Sequence, residues 1–285
     1  MMSMAKSKFL FKIYYIGKKK FYGSQRQPSF LTIEQSLLSA LENRGYIRTL
    51  KNSEFEFASR TDRFVSARGA CFTCILEKEP ILMEINSVLP SEIGIWAYAR
   101  VPLEFSSRFD AVLRHYVYIV SVPISHLQKT SGINIEMLKT ACRQLEGRHD
   151  FLNFSKSERD VINTIRDMNF VTFSIHNDYL IFQFKSQSFL RQQIRRMVKK
   201  ILDLGQGKML YEDFIELFDT SKVISYQSAD PEGLILWDIM YNEKIEFVED
   251  LKSKERMNNF FSRKHLKFGL KSHLFRVLQQ DNFSQ

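Results

Sequence analysis

Strand-like and helix-like segments follow one another twice in nearly the same order along this chain, and that repetition limits the folds open to it. Residues 8–15, KFLFKIYY, place Phe9, Phe11 and Ile13 on one face at a period of two, the pattern of a strand. After a basic turn, IGKKKFYGSQRQP, Thr32 stands three positions before Gln35 in a capping-box pattern, and Ile33, Leu37 and Leu41 repeat at helical spacing up to Asn43. EFEFASR and ARGACFTCILE follow as extended segments, then a short helix near 82–88 and an extended run over 94–102. The second pass opens with a strand over 114–123, rich in β-branched and aromatic residues. Asn134 can cap a helix carrying Ile135, Leu138, Cys142 and Leu145, with Gly147 at its end. Residues 168–186 read as two strands about an Asn177-Asp178 turn. A long basic helix, SFLRQQIRRMVKKILDLGQG, is stopped by Gly205, and the short helix YEDFIELF and the strand GLILWDIMY close the pass.

The order predicts an α+β fold: two similar α/β halves, each an antiparallel or mixed sheet backed by helices in the RRM or ferredoxin-like manner. A cleft between the halves is the natural place for a catalytic site. The expected units are residues 1–103, residues 104–242 and a basic helical extension over 243–285.

Composition narrows the partners. Forty-one Lys and Arg against 32 Asp and Glu give a formal charge of +9, which favours a polyanion, nucleic acid first and an acidic membrane second. No run of 18 apolar residues exists, and the segment MMSMAKSKFLFKIYYIGKKK lacks the apolar core and cleavage site of a signal peptide. The expected location is cytoplasmic, with no membrane contact. Three cysteines are too few and too scattered for a disulfide framework. Cys71 and Cys74 form a C-x-x-C, but no second pair or nearby histidine completes a metal site, so core packing is the expected role and no metal or cofactor is expected.

Within FASRTDRFVSARG (57–69) a single carboxylate, Asp62, lies among Arg60, Thr61 and Arg63. A carboxylate serves as a nucleophile when it is ionised and partly desolvated, and the two arginines favour the ionised form. An isolated Arg-Thr-Asp is more often a surface turn, so the context decides. That context resembles the TruA-type tRNA pseudouridine synthases, with an archaeal or eukaryotic cast. The resemblance is carried in order by YYIGKKKFYGSQRQP (14–28), SRTDRFVSA (59–67), FSSRFDAVLRHYVY (105–118), LEGRHDFLNFS (145–155), and QSFLRQQIRRMVKKILDLGQG (187–207) with SADPEGLILWDIMY (228–241) behind it.

The resemblance implies an isomerase that converts uridine to pseudouridine at tRNA positions 38 to 40 in the anticodon stem-loop. It implies Asp62 as nucleophile, Tyr116 as the active-site tyrosine and Arg195 as the arginine that pairs with the aspartate, with Arg60 helping to displace the base. Tyr116 and Tyr118 alternate on one strand face, and an aromatic ring beside the target would stack on the base and exclude water. Flipping a paired base costs on the order of a few kcal/mol, so the tRNA must be gripped elsewhere. Lys18, Lys19, Lys20, Gln25, Arg26, Arg63, Arg108, Arg114 and Arg191 are the candidate RNA-binding residues. Arg191, Arg195 and Lys199 repeat at i, i+4, i+8 beside an apolar stripe. By analogy with the family, the functional unit is a homodimer.

The chain departs from the family at Ser24 (usually tryptophan), Phe64 (glycine), Ser66 (histidine in bacterial members) and Lys199 (often glycine). Phenylalanine disfavours positive φ, so the loop after Asp62 is expected to take another backbone path, or a ring to fill part of the pocket. The competing reading is a non-catalytic tRNA-binding or chaperone protein on the same scaffold. A metal-dependent aspartyl hydrolase or phosphotransferase is disfavoured by the lack of an acidic cluster.

Overall fold

The computed structural model describes residues 7–49, 51–156 and 163–280. The first pass comprises β1 (Ser7–Tyr15), α1 (Ile33–Asn43), β2 (Glu56–Phe57), β3 (Ser66–Leu76), α2 (Leu82–Asn86) and β4 (Ile93–Val101). The second comprises β5 (Leu113–Ile119), α3 (Ile124–Ser131), α4 (Ile135–Leu145), β6 (Gly147–Asp150), β7 (Ile165–His176), β8 (Tyr179–Ser186), α5 (Gln193–Gly205), α6 (Tyr211–Glu216) and β9 (Leu234–Met240). β10 (Val248–Glu249) and α7 (Leu251–Leu278) follow.

These strands make one continuous sheet of ten, ordered β10-β4-β1-β3-β9-β5-β8-β7-β6, with β2 on β3. The sequence suggests a separate sheet in each half; instead the two sets of strands are joined by a short parallel pairing, Ser66↔Ile235 and Ala67↔Leu236. All other strand pairs are antiparallel. Strand β1 lies between β3 and β4, and its Phe9, Leu10, Phe11, Ile13, Tyr14 and Tyr15 are all buried, as a central strand requires.

Local chemistry sets the elements. The Thr32 hydroxyl accepts from the backbone N–H of Gln35 at the start of α1, and the Asn134 side chain accepts from Glu136 and Met137 at the start of α4. Asn177 and Asp178 take φ of 48° and 67°, the left-handed pair of a tight hairpin. Strand β5 ends at Ile119 rather than at 123, because Pro123 opens the short helix α3 and Gly132 closes it at φ 58°. Helix α5 begins at Gln193, since Gln192 takes a left-handed φ of 57°. Arg191 therefore precedes the helix, and the expected three-residue basic stripe loses its first member. The helix does end at Gly205, but Gly207 makes the left-handed turn. Gly205 serves close packing: a Cβ there would meet Leu138 Cδ2 of α4 at 2.3 Å.

Most of the apolar core is one cluster spanning both passes. A smaller cluster of Tyr14, Trp96, Ala97, Met257 and Phe260 docks the first half of α7 onto β1 and β4. Arg256 reinforces it, donating to the Tyr14 hydroxyl at 3.0 Å. Cys71, Cys74 and Cys142 are free and buried. Burial pushes the Cys71 and Cys74 thiols up to about 12. Among the described residues, no group of His, Cys, Asp and Glu side chains could hold a metal ion, and no helix is long and apolar enough to cross a membrane.

Candidate active site

The chain leaves the sheet after β2, whose Glu56 and Phe57 pair with Thr73 and Phe72, and re-enters it at Ser66, where β9 takes over alongside β3. The intervening loop carries Asp62 and sits where the two sets of strands meet. Facing it is α5. Arg195 Nη1 donates to Asp62 Oδ2 at 2.9 Å, with side-chain exposures of 10% for the arginine and 35% for the aspartate. Arg195 is itself fixed: its Nε donates to the Ala229 carbonyl at 2.8 Å, and the Ala229 N–H donates to the Arg195 carbonyl at 3.0 Å. A guanidinium held this way stays aimed at the carboxylate without bonding it through both oxygens, which leaves one carboxylate oxygen for other chemistry.

Tyr116 is buried on β5, its ring edge-on to Phe189 at 5.1 Å. Burial raises its phenol pKa, opposed by the Arg114 charge and a hydrogen bond with Ser59 and assisted by the Asp62 carboxylate, so the hydroxyl is neutral at physiological pH. Tyr118, the next residue on that face, donates to the Asp230 carbonyl at 3.0 Å. Asp62, Arg195 and Tyr116, 54 to 133 positions apart in sequence, are thus brought into one site.

The neighbours of Asp62 point elsewhere. Arg60 donates to Gln25 Oε1 at 2.8 Å, while Arg63 donates to the Lys19 carbonyl and stacks its guanidinium on Tyr22 at 3.9 Å. The cation bonded to the carboxylate is the distant Arg195, the partner that the family resemblance implied, while the adjacent arginines bond elsewhere. Phe64 corrects an expectation. It adopts φ 70°, the left-handed region that phenylalanine was expected to avoid, and its ring lies 4.8 Å from the Arg63 guanidinium. The backbone of Gly17 packs directly on this turn: a Cβ on Gly17 would fall 2.1 Å from the Phe64 carbonyl group.

Sequence reasoning overlooked the residues that hold the loop. The Tyr15 hydroxyl is 2.8 Å from Thr61 Oγ1, Ser24 Oγ accepts from the Thr61 N–H at 2.8 Å, and the Ser24 N–H donates to the Thr61 carbonyl at 3.1 Å. Ser66 Oγ accepts from the Gly17 N–H at 3.1 Å. Only the position of Ser24 and Ser66, at departures from the family pattern, signalled them.

The candidate RNA contacts fall into three groups. Lys19, Gln25, Arg26 and Arg60 are exposed on the rim around the Asp62 loop. Arg26 lies beside Glu34, and Lys18 and Lys20 both donate to Glu92, at 2.6 and 2.9 Å. Burial pushes the Glu92 carboxyl up, but the two ammonium groups outweigh it and hold the group down at about 2. Arg108, exposed over Phe109, and the exposed Arg191 lie on the second pass. Arg114 is different. It is buried, donating from Nε to Ser59 Oγ at 2.7 Å, from Nη2 to the Ala58 and Arg108 carbonyls at 2.9 and 2.8 Å, and from Nη1 to the Gln187 carbonyl. With its buried donors spent on three backbone carbonyls and the Ser59 hydroxyl, it does not reach a phosphate; it ties the start of the Asp62 loop to β5.

The site thus holds a partly exposed carboxylate paired with arginine, with a neutral tyrosine near it, where the two sets of strands meet. A family model described as tRNA pseudouridine synthase matches residues 141–242. The tRNA pseudouridine synthase A of Methanothermobacter thermautotrophicus is 35% identical over 85% of this chain and 84% of that protein. Its namesake from Methanothrix thermoacetophila is 33% identical over 88% of this chain and 89% of that protein, and the one from Pyrococcus furiosus 35% over 86% and 87%. The chain belongs to the tRNA pseudouridine synthase A family, the TruA type.

Proposed function

We propose that this protein isomerises uridine to pseudouridine at positions 38 to 40 of tRNA, with Asp62 as the nucleophile. The pairing of Asp62 with Arg195 beside Tyr116 carries the reading. Arg195 holds one carboxylate oxygen at 2.9 Å, and the partial exposure of the aspartate lets a base or ribose approach. Attack of Asp62 at C1′ or C6 lets the N1–C1′ bond break, the retained uracil turns, C5 bonds to C1′, and the bond to Asp62 breaks to return the free carboxylate. The C5 proton leaves as N1 gains one. Product and substrate are isomers, so the chemistry consumes no oxidant, reductant or co-substrate. The Tyr116 ring supplies a stacking face and shuts out water. Arg60, on the rim, helps displace the base, and Lys19, Gln25, Arg26, Arg108 and Arg191 contact the phosphates, with Lys18, Lys20 and Arg63 adding charge from behind.

The same reading treats residues 1–103 and 104–242 as two RRM or ferredoxin-like units, with 243–285 as an extension. The strand order β4-β1-β3-β2 supports it, running fourth, first, third, second, and β9-β5-β8-β7 follows the same order once the short strand β6 at the sheet edge is set aside. It also places the enzyme in the cytoplasm as a homodimer. The alternative, a non-catalytic RNA-binding scaffold with Phe64 blocking the pocket, differs in predicting tRNA binding without turnover; the Phe64 ring lies 4.8 Å from the Arg63 guanidinium.

Unmodified tRNA transcripts incubated with the protein and mapped by carbodiimide primer extension test this. Stops at one or more of positions 38 to 40 are expected. Tight, salt-sensitive binding with no stop at any position overturns the enzymatic reading, and stops confined to other positions overturn the site assignment.

A further inference from the structure

Thr61 is held at three points, and all three holds come from the end of β1 and the turn after it rather than from its own loop. Tyr15, fully buried at the end of β1, meets its hydroxyl at 2.8 Å. Ser24, also fully buried, accepts from its N–H at 2.8 Å and donates its own N–H to its carbonyl at 3.1 Å. Residue 61 thus has its backbone donor, backbone acceptor and side chain all fixed, immediately before Asp62. Three residues on, Phe64 carries a left-handed φ, a conformation that persists in an L-residue only where its surroundings over-determine it. A loop under that load relaxes unless its other end is anchored. A hydroxyl at position 24 is short enough to reach a backbone N–H and able to accept from it; a larger apolar side chain there is not.

We propose that Tyr15 and Ser24 are positioning residues of the reaction, clamping Thr61 so that the Asp62 carboxylate stays opposite Arg195. The inference rests on the reading of Asp62 as nucleophile. Tyr15 reaches no substrate. Burial raises its phenol pKa, with the Thr61 hydrogen bond acting against that, so it is a neutral partner throughout the working pH range. Removing its hydroxyl leaves the ring and the packing in place and frees only the end of the clamp.

The test compares Tyr15→Phe, Ser24→Ala, Thr61→Val, Thr61→Ser and the double variant Tyr15→Phe/Thr61→Val in the full chain, under single-turnover conditions with tRNA. Expected are a fall in the rate of the chemical step of about tenfold or more for Tyr15→Phe, Ser24→Ala and Thr61→Val, with tRNA affinity within about twofold of wild type. The double variant should be no slower than the slower single variant, because both remove one interaction. Thr61→Ser, which keeps the hydroxyl, should restore most of the rate. Wild-type rates in Tyr15→Phe and Ser24→Ala overturn the proposal, as do multiplicative losses in the double variant or losses that track thermal stability alone. An inactive wild-type protein would instead refute the enzymatic reading on which the clamp rests, so the two failures are distinct.

Discussion

Arg195 on α5 and Asp62 on the loop before β3 are 133 positions apart in sequence and 2.9 Å apart in space. The contact is built by the backbone on both sides: Ala229 holds the arginine and Thr61 is held beside the aspartate. A charge pair with this much support is aimed, and aiming distinguishes it from a surface ion pair of little energetic weight.

Arg195→Lys keeps the charge and loses the fork that reaches Asp62 and Ala229 together. The expected result is a fall in the single-turnover rate of about 10²-fold, with tRNA binding little changed. Rapid-quench assays with tRNA radiolabelled in uridine report it.

Arg114 and Arg60 should part company. Arg114→Ala leaves the Ala58, Arg108 and Gln187 carbonyls without their donor, a loss of roughly 3 kcal/mol or more, seen as a large drop in Tm. Arg60→Ala, at the exposed rim, should leave Tm unchanged while weakening tRNA binding and lowering its salt slope by about one. Thermal melts and binding at several salt concentrations separate the two.

At position 64, Gly should be tolerated and Val not. Phe64→Gly trades left-handed strain for unfolded-chain entropy, with an expected net stability change within about 1 kcal/mol. Phe64→Val, with a β-branched side chain at φ 70°, should cost about 1–3 kcal/mol. Gly17→Ala should be worse than either, since its Cβ would overlap the Phe64 backbone at 2.1 Å. Denaturant titrations of the three variants give the order.

Glu92 gives a pH signature. Its folded value of about 2 lies below the ordinary 4.5, so it stabilises fully above the ordinary value and loses that contribution as pH falls toward 2. The partner lysines are partly exposed, so Glu92→Gln should cost only about 1–2 kcal/mol at neutral pH. Unfolding curves for wild type and variant should converge as pH drops below about 4.5.

The elements were largely legible in the sequence because periodicity, Thr32, Asn134 and the Asn177-Asp178 turn are local signals. The joining of the strands into one sheet was not, because two backbone pairs at Ser66 and Ala67 leave no side-chain pattern to read. Asp62, Tyr116, Arg195 and Arg114 all stood in motifs, but the motif did not record that Arg114 is buried and bonded within the protein rather than facing RNA. Tyr15, Ser24 and Thr61 act through contacts across 37 to 46 positions, which composition and spacing do not record.

The most direct measurement is single-turnover pseudouridine formation by Asp62→Asn, which keeps the shape of the side chain and removes its charge. Retained tRNA binding with no detectable product is the predicted result. Product formation by the asparagine variant at a rate near that of wild type contradicts the account.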